Sequence, residues 1–362
     1  QKFKGIEKMN LIGQHNDPSL LRYWTSLYFL QRHHLIASRT SFVKLFINGA
    51  YRGLYLNVEH IDDEFLQKRF IDDDHGNLYK ASWGADLNYW GANANSYKGV
   101  YELKTNKDSN DYGAFISFLD SLNNLNDADF PCYMERNFEV NHYLKTLAAE
   151  IIIGHWDGHA YNKNNFYLYR QPSNGKFVFI EYDLDNTFGI DWFGIDWASR
   201  DLNEWHETNR PLVERLLEIP YYKDVFNAYL DTLLTDLDTS NWYSDLLAQQ
   251  NMIKSAVQSD TYYRKDYGFQ FSDFLDALDD NYGAHVKKGL AEYLDERITS
   301  GLSQVDWIGN LEPPCDELPI EPERQIIKIV DFIGRETQFR TDIPLIIMYD
   351  DGTVEKVMVW GS

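Results

Sequence analysis

Cysteine is nearly missing from this chain: Cys132 and Cys315 are the two among 362 residues. A disulfide-stapled scaffold is excluded, and spacing alone does not say whether the two pair or which redox compartment they occupy. Positive charge is scarce as well. Lys and Arg number 34 against 56 Asp and Glu, a formal charge of −22. A surface of that sign repels phosphate backbones and anionic lipid, so neither nucleic acid nor a membrane surface is an expected partner. Divalent cations and basic partners suit it. No apolar run approaches the ~20 residues that span a bilayer. No Gly-rich loop of P-loop type is present. No signal peptide stands at Gln1, which is not an initiator Met, so a trimmed or mature chain is expected.

What is present is apolar and aromatic: 44% and 15% of residues, enough for a large core. "NDPSLLRYWTSLYFLQRHHL" (16–35) starts like a capped helix and carries Leu20, Trp24, Leu27, Tyr28 and Leu35 at helical spacing. "SFVKLFINGAYRGLYLNVEHI" (41–61) alternates around Asn48-Gly49, a strong hairpin signal. "DDEFLQKRF" predicts a short helix, "NLYKA" a strand, and Asp72-Asp73-Asp74 a solvated turn. "DYGAFISFLDSLNNL" and "FEVNHYLKTLAAEIIIGHW" have helical periodicity. "NFYLYRQPSNGKFVFIEYDLD" predicts a second hairpin. From about 203 to 305 the pattern is helical. The expected class is therefore α+β, with a mixed strand and helix N-terminal half and a helical C-terminal half, over residues 1–308. Residues 309–323, rich in Pro and acids, predict a linker. Residues 324–362 form three alternating runs that predict a small all-β module. "FGIDWFGIDW" (188–197) repeats five residues and predicts an aromatic loop, packed on the core or forming a pocket wall.

Two stretches carry chemistry. In "FVFIEYDLDNTFG" (177–189), an apolar strand ends in Glu181, Asp183 and Asp185. If the strand persists, the three carboxylates share a face roughly 7 Å apart. Like charges so close raise one another's pKa unless a cation sits between them. In "GHWDGHAYNKNN", Asp157 follows an apolar helix and precedes Asn162, Asn164 and Asn165. An Asp that orients a hydroxyl, an Asn that ligates metal, and metal-binding Asp residues after a hairpin are the parts of phosphoryl transfer in that order. His155, Asp157 and His159 also read as H-x-D-x-H, a candidate zinc set for a metallohydrolase.

These residues lie in longer motifs: "FKGIEKMNLIGQHNDPSLLR", "SFVKLFINGAYRGLYLNVEHIDDEFLQKRF", "NLYKA", "GHWDGHAYNKNNFYLY" and "FIEYDLDNTFG". In that order they resemble the CotH kinase family, related to spore coat protein H, over about residues 1 to 305. The resemblance implies an atypical protein-kinase-like two-lobe fold. It also implies transfer of the ATP γ-phosphate, with Mg²⁺ or Mn²⁺, to Ser or Thr of secreted or surface proteins. Asp157 matches the catalytic-loop aspartate, and Asp183 and Asp185 match the metal-binding D-x-D. Asn162 has the usual offset and Asn165 the usual place before the strand, so both stay open as metal ligands. Lys80 and Lys104 are the candidates to contact phosphates, and Glu59 to pair with such a lysine. A basic strand that precedes "FKGIEKMNL" in the family is expected to be missing, which also suits a non-catalytic binding or structural module. "DFIGRET" and "YDDGTVEK" resemble C-terminal sorting domains of the type IX (Por) secretion system, implying export and a secreted or cell-surface location.

Overall fold

The first part of the chain is organised by one side chain. After a short strand, β1 (Asn10–Ile12), the Asp17 carboxylate accepts the backbone N–H groups of Leu21 (2.9 Å) and Arg22 (2.8 Å), and helix α1 (Arg22–Arg32) starts there. The computed structural model describes residues 8–239, 241–263, 267–283, 285–309, 311–315, 326–331, 335–338, 344–349 and 354–358. Asn48 and Gly49, at φ 51° and 77°, make the tight turn between β2 (Thr40–Ile47) and β3 (Ala50–Val58). These strands form an antiparallel sheet in the order β1-β3-β2. Leu54, Leu56 and Val58 alternate into the core. Asp62 caps the short helix α2 (Asp63–Arg69).

A second antiparallel sheet, in the order β5-β4-β6-β7, is built from β4 (Leu78–Ala81), β5 (Tyr101–Leu103), β6 (Phe166–Arg170) and β7 (Phe177–Glu181). Between β5 and β6 run α3 (Gly113–Asn124), α4 (Phe130–Asn137), α5 (Val140–Ile153) and the single turn α6 (His159–Asn162). Both faces of this sheet are covered. Tyr79, Leu168, Phe177 and Phe179 join the main core. Leu78, Tyr167, Tyr169, Val178 and Ile180 pack with Phe65, Leu66 and Phe70 of the α2 region. That is why "FVFIE" is a continuous buried run rather than an alternating one.

Helix α5 is buried nearly all round and packs against α1, β7 and the helices that follow. It ends at Gly154, whose φ is 70° and where a Cβ would meet the Tyr293 hydroxyl at 2.4 Å, so no other residue fits there. The rest is helical, as expected: α7 (Pro211–Leu217), α8 (Pro220–Thr239), α9 (Trp242–Gln258), α10 (Phe271–Asp276) and α11 (Leu290–Leu302). The chain is thus mixed α+β. Among the described residues no helix is long and apolar enough to cross a membrane.

One expectation changes in part, and one question that spacing left open is answered. The acidic run is only in part a solvated turn: Asp72 is exposed in a turn at φ 61°, whereas Asp73 accepts Ser173 N–H (2.8 Å), Ser173 Oγ–H (2.8 Å) and Gln171 Nε2–H (3.1 Å), and its carbonyl accepts the Tyr169 hydroxyl. It ties down the β6–β7 turn. Neither cysteine is free, and both Cys132 and Cys315 are disulfide-bonded.

The chain divides into Gln1–Pro314 and Cys315–Ser362. In the second unit β8 (Ile326–Asp331), β9 (Pro344–Tyr349) and β10 (Val354–Met358) form an antiparallel sheet, order β10-β9-β8. The linker expected at 309–323 and the stretches "DFIGRET" and "YDDGTVEK" lie partly outside the described residues.

Candidate active site

The β6–β7 hairpin decides what meets what. Phe166 stands opposite Glu181, and the ladder runs one step further: the Tyr182 N–H donates to the Asn165 carbonyl at 3.1 Å. The loop after α5 and the acidic segment after β7 therefore leave the sheet side by side. Asp183 then turns off at φ 59°, a left-handed conformation that Asp tolerates better than most residues. Lys163, Asn165 and Phe188 also have positive φ, at 56°, 56° and 47°. Such conformations cost about 1 kcal/mol each and collect where surrounding contacts hold them for a purpose.

Asp157 sits half-buried at the centre of an amide cluster. Its carboxylate accepts Nδ2–H from Asn162 (2.5 Å), Asn164 (3.5 Å) and Asn165 (3.0 Å), and its backbone carbonyl accepts a second bond from Asn165 (3.1 Å). Both asparagines left open by the sequence thus converge on Asp157. Burial raises the Asp157 pKa, while amide hydrogen bonds, including one from Asn186, pull it down. Burial and the charge of Asp157 raise Asp183, which Lys80 opposes. Asp185 is pushed up to about 8 by burial, then by Asp183 and Asp157. The three carboxylates are close enough to repel one another. Neither strand nor helix forces this, since the turn after Glu181 places them.

Glu181 does not join them. The strand ends at Glu181, so the two-residue alternation stops, and Glu181 points into the core, 2% exposed. There it faces Glu150 of α5, and burial together with Glu150 raises its pKa well above the ordinary range. His155 Nε2 lies 3.9 Å from Glu181, and burial depresses His155 and His159 to about 3. The H-x-D-x-H set is therefore split. Both imidazoles are in the core, His159 edge-on to Phe166, while Asp157 lies among amides.

Lys80, on β4 opposite Tyr167, sits over the Tyr182 ring at 4.5 Å. Burial lowers its pKa, with Lys104 lowering it further and Asp183 opposing. Lys104 is held by Glu102 at 3.0 Å. Glu59 bonds Arg39 (2.5 Å), Arg69 (2.7 Å) and Lys68 (3.5 Å), and no Glu59–Lys80 ion pair forms. Its location explains this. At the end of β3, Glu59 borders a pocket of about 390 Å³ lined also by Arg39, Asn57, His60 and Lys68.

Among the described residues no three His, Cys, Asp or Glu side chains are grouped to hold a metal by themselves. The donors here are carboxylates mixed with amide oxygens. That set fits a hard cation taking one or two protein carboxylates and completing its shell with phosphate and water oxygens. Burial does most to lift Asp185 to about 8, and the repulsion from Asp183 and Asp157 that adds to it is what such a cation would relieve.

Sequence reasoning missed Asn186 and Glu150. Asn186 donates to Asp185 Oδ1 at 3.0 Å and lies in the acidic motif itself. Glu150 is the lone acid in "LAAEIII", an anomaly that could have marked it.

Comparison with known proteins places the chain in a family. The family model described as "CotH kinase protein" matches residues 1–299. "Inner spore coat protein H" of Bacillus subtilis is 27% identical over 272 residues, covering 73% of this chain and 72% of that protein. Two proteins of Rhizopus delemar match 48% of this chain: "Invasin CotH2", 29% identical, and "Invasin CotH3", 25% identical. This chain covers only 31% and 30% of those two, about a third of their lengths.

Proposed function

The chain belongs to the CotH kinase protein family, and on that premise we propose that it is a phosphotransferase moving the ATP γ-phosphoryl group to Ser or Thr of a protein. The acceptor hydroxyl oxygen forms a bond to the γ-phosphorus. The bond from that phosphorus to the β,γ-bridging oxygen breaks, and ADP leaves. Asp157 accepts the hydroxyl proton, and its three amide donors hold the carboxylate in one orientation. A Mg²⁺ or Mn²⁺ ion held by Asp183 and Asp185, with Asn162 or Asn165, would neutralise phosphate charge. Lys80 faces Asp183 and contributes the fixed positive charge on the nucleotide side, with Lys104 behind it. In this reading the sheet with α1 and α2 is the nucleotide lobe and the helical half is the second lobe of a kinase-like fold.

The observation that carries the reading is the convergence of Asp157, Asp183, Asp185 and Lys80 by way of the hairpin register. The test is nucleotide-dependent phosphate transfer by the full-length protein, alone and with secreted acceptors. Wild-type transfer surviving both Asp157→Asn and Asp185→Ala would refute it. The relatives' names, a spore coat protein and invasins, support a secreted or surface location. Export through residues 324–362 is part of the proposal, and their deletion should leave the protein inside the cell.

One observation favours a second reading, a non-catalytic surface module: the Glu59–Lys80 pair is not made. That reading requires no thermal shift with ATP plus Mn²⁺, because a ligand bound only by the folded state must raise stability.

A further inference from the structure

The acidic turn makes few hydrogen bonds within itself; it is held from outside by α1. Ser26, fully buried, bonds Thr187 Oγ1 (3.1 Å) and lies 3.3 Å from the Leu184 carbonyl. The Arg22 guanidinium, also fully buried, donates through Nε to the Phe188 carbonyl (3.2 Å) and through Nη2 to the Lys288 carbonyl (2.7 Å), and Asp17 pairs with it. Asn16 Nδ2 donates to Asn186 Oδ1 at 3.3 Å, and Asn186 in turn reaches Asp185. Tyr23 lies buried beneath Asp183, whose charge, after burial, raises the phenol's pKa. One helical turn of α1 thus contacts the acidic segment from Asp183 to Phe188.

We propose that Ser26 and Arg22 are positioning residues that hold the Leu184–Phe188 backbone in the form in which Asp183 and Asp185 face one cation. Two physical facts require such a device. The carboxylates repel, so without a cation the turn gains by opening. The turn also contains Asp183 and Phe188 in left-handed conformations that relax unless held. Arginine suits the task because its rigid five-donor fork reaches two carbonyls and a carboxylate that lie apart, which the compact three-donor ammonium of Lys does not span in the same geometry. Ser26 acts at smaller scale: its one proton goes to Arg22 O of its own helix (2.9 Å), and its oxygen accepts the Thr187 hydroxyl of the turn (3.1 Å).

The inference rests on the phosphotransferase reading, and one matched pair of variants separates the two. Thr25 is the neighbouring buried hydroxyl, and it bonds only Leu21 O of its own helix, at 2.8 Å. Ser26→Ala removes a bond to the turn, and Thr25→Val removes one that never reaches it. Each full-length protein is titrated with Mn²⁺ alone, then with Mn²⁺ plus ATP, following thermal shift, and the KM for ATP is measured. The expected result is similar melting of both variants without metal. With metal, half-saturation should rise about fivefold in Ser26→Ala, the size of one lost hydrogen bond, and stay at the wild-type value in Thr25→Val. Arg22→Lys should show the same defect more strongly. If wild type binds Mn²⁺ and Ser26→Ala binds it equally well, the positioning role is wrong and the phosphotransferase reading stands. If wild type itself binds neither Mn²⁺ nor Mn²⁺ with ATP, both fall.

Discussion

Two acidic groups stand back to back at the end of β7, and the chain treats them in opposite ways. Glu150 and Glu181 face each other inside the core, where burial raises both pKa values and the Glu150 charge raises Glu181 further. Asp157, Asp183 and Asp185 face each other in a half-buried turn with amides around them and Lys80 beside them. Repulsion is common to both. A closed, dry pair resolves it by keeping a proton, whereas an open, amide-lined group has room for a cation. Acidic clustering alone therefore says nothing about function; access and the neighbouring donors do.

The largest expected effect breaks the comparison at the open site. Asp157→Asn should lower the rate of phosphate transfer by about 10²- to 10⁴-fold, the usual worth of a positioned base. Asp185→Ala should be at least as damaging, with loss of the Mn²⁺-dependent thermal shift. Glu150→Gln, at the closed pair, should retain transfer within a few-fold. Equal losses in Asp157→Asn and Glu150→Gln would erase the distinction between the two groups.

Next in size is the pH dependence of cation binding. Burial and its two neighbours push Asp185 up to about 8, so below that pH the cation must displace a proton. Binding should therefore strengthen from pH 6 to pH 8, by up to about tenfold per unit where one proton leaves. Calorimetry in two buffers of different ionisation heat reads the released proton directly. Affinity independent of pH over that range would show that Asp185 is already charged, and the crowding argument would fail.

How far these features can be read in the sequence follows from how local their causes are. The Asn48-Gly49 hairpin, the long helices and the order loop–hairpin–acidic turn are legible because turn chemistry and periodicity lie within a few residues. β1 and β5 are not. Each has three residues and exists through its partners, β3 and β4. Glu181 was expected beside Asp183, but one left-handed residue ends the alternation. Glu59 was expected to meet Lys80, but Arg39 and Arg69 lie nearer. Arg22 and Arg297 are fully buried on backbone carbonyls, against the ordinary expectation for arginine. Such clamps depend on segments more than 90 residues apart in the chain, as with Arg297 and the Arg200 carbonyl, 97 positions away.

A moderate effect sharpens the closed side. Burial pushes Glu150 up to about 7, so the folded chain holds that proton more tightly than the unfolded one. Its contribution is fully present below about pH 4.5 and is lost as pH rises through about 7. Glu150→Gln keeps an oxygen for the Ala160 N–H, now 3.2 Å away, and removes the titration. It should raise stability at pH 8 by on the order of 2 kcal/mol relative to wild type and leave pH 4.5 little changed. The acid limb should survive in both proteins. His155 and His159 are depressed to about 3 by burial, so their contribution is present above pH 6.5 and lost as pH falls. Urea midpoints at several pH values measure both limbs, and an alkaline limb unchanged in Glu150→Gln would place its cause elsewhere.

The smallest expected effect decides which positive charge belongs to the open group. Lys80 is half-buried and opposes Asp183 electrostatically, whereas Lys104 is held by Glu102, itself largely exposed. An exposed pair of that kind contributes about 0.2–1 kcal/mol. Lys104→Ala should therefore shift the melting temperature only slightly and change the KM for ATP less than about twofold, within what an exposed pair commands. Removing Lys104 also removes a charge that lowers the Lys80 pKa, so Lys80 becomes, if anything, more firmly protonated. Lys80→Ala takes away the charge facing Asp183, and its KM should rise well beyond that limit. If the two variants traded places, phosphate contact would belong to the residue just after β5 rather than to β4, and the open group would have to be redrawn around Glu102.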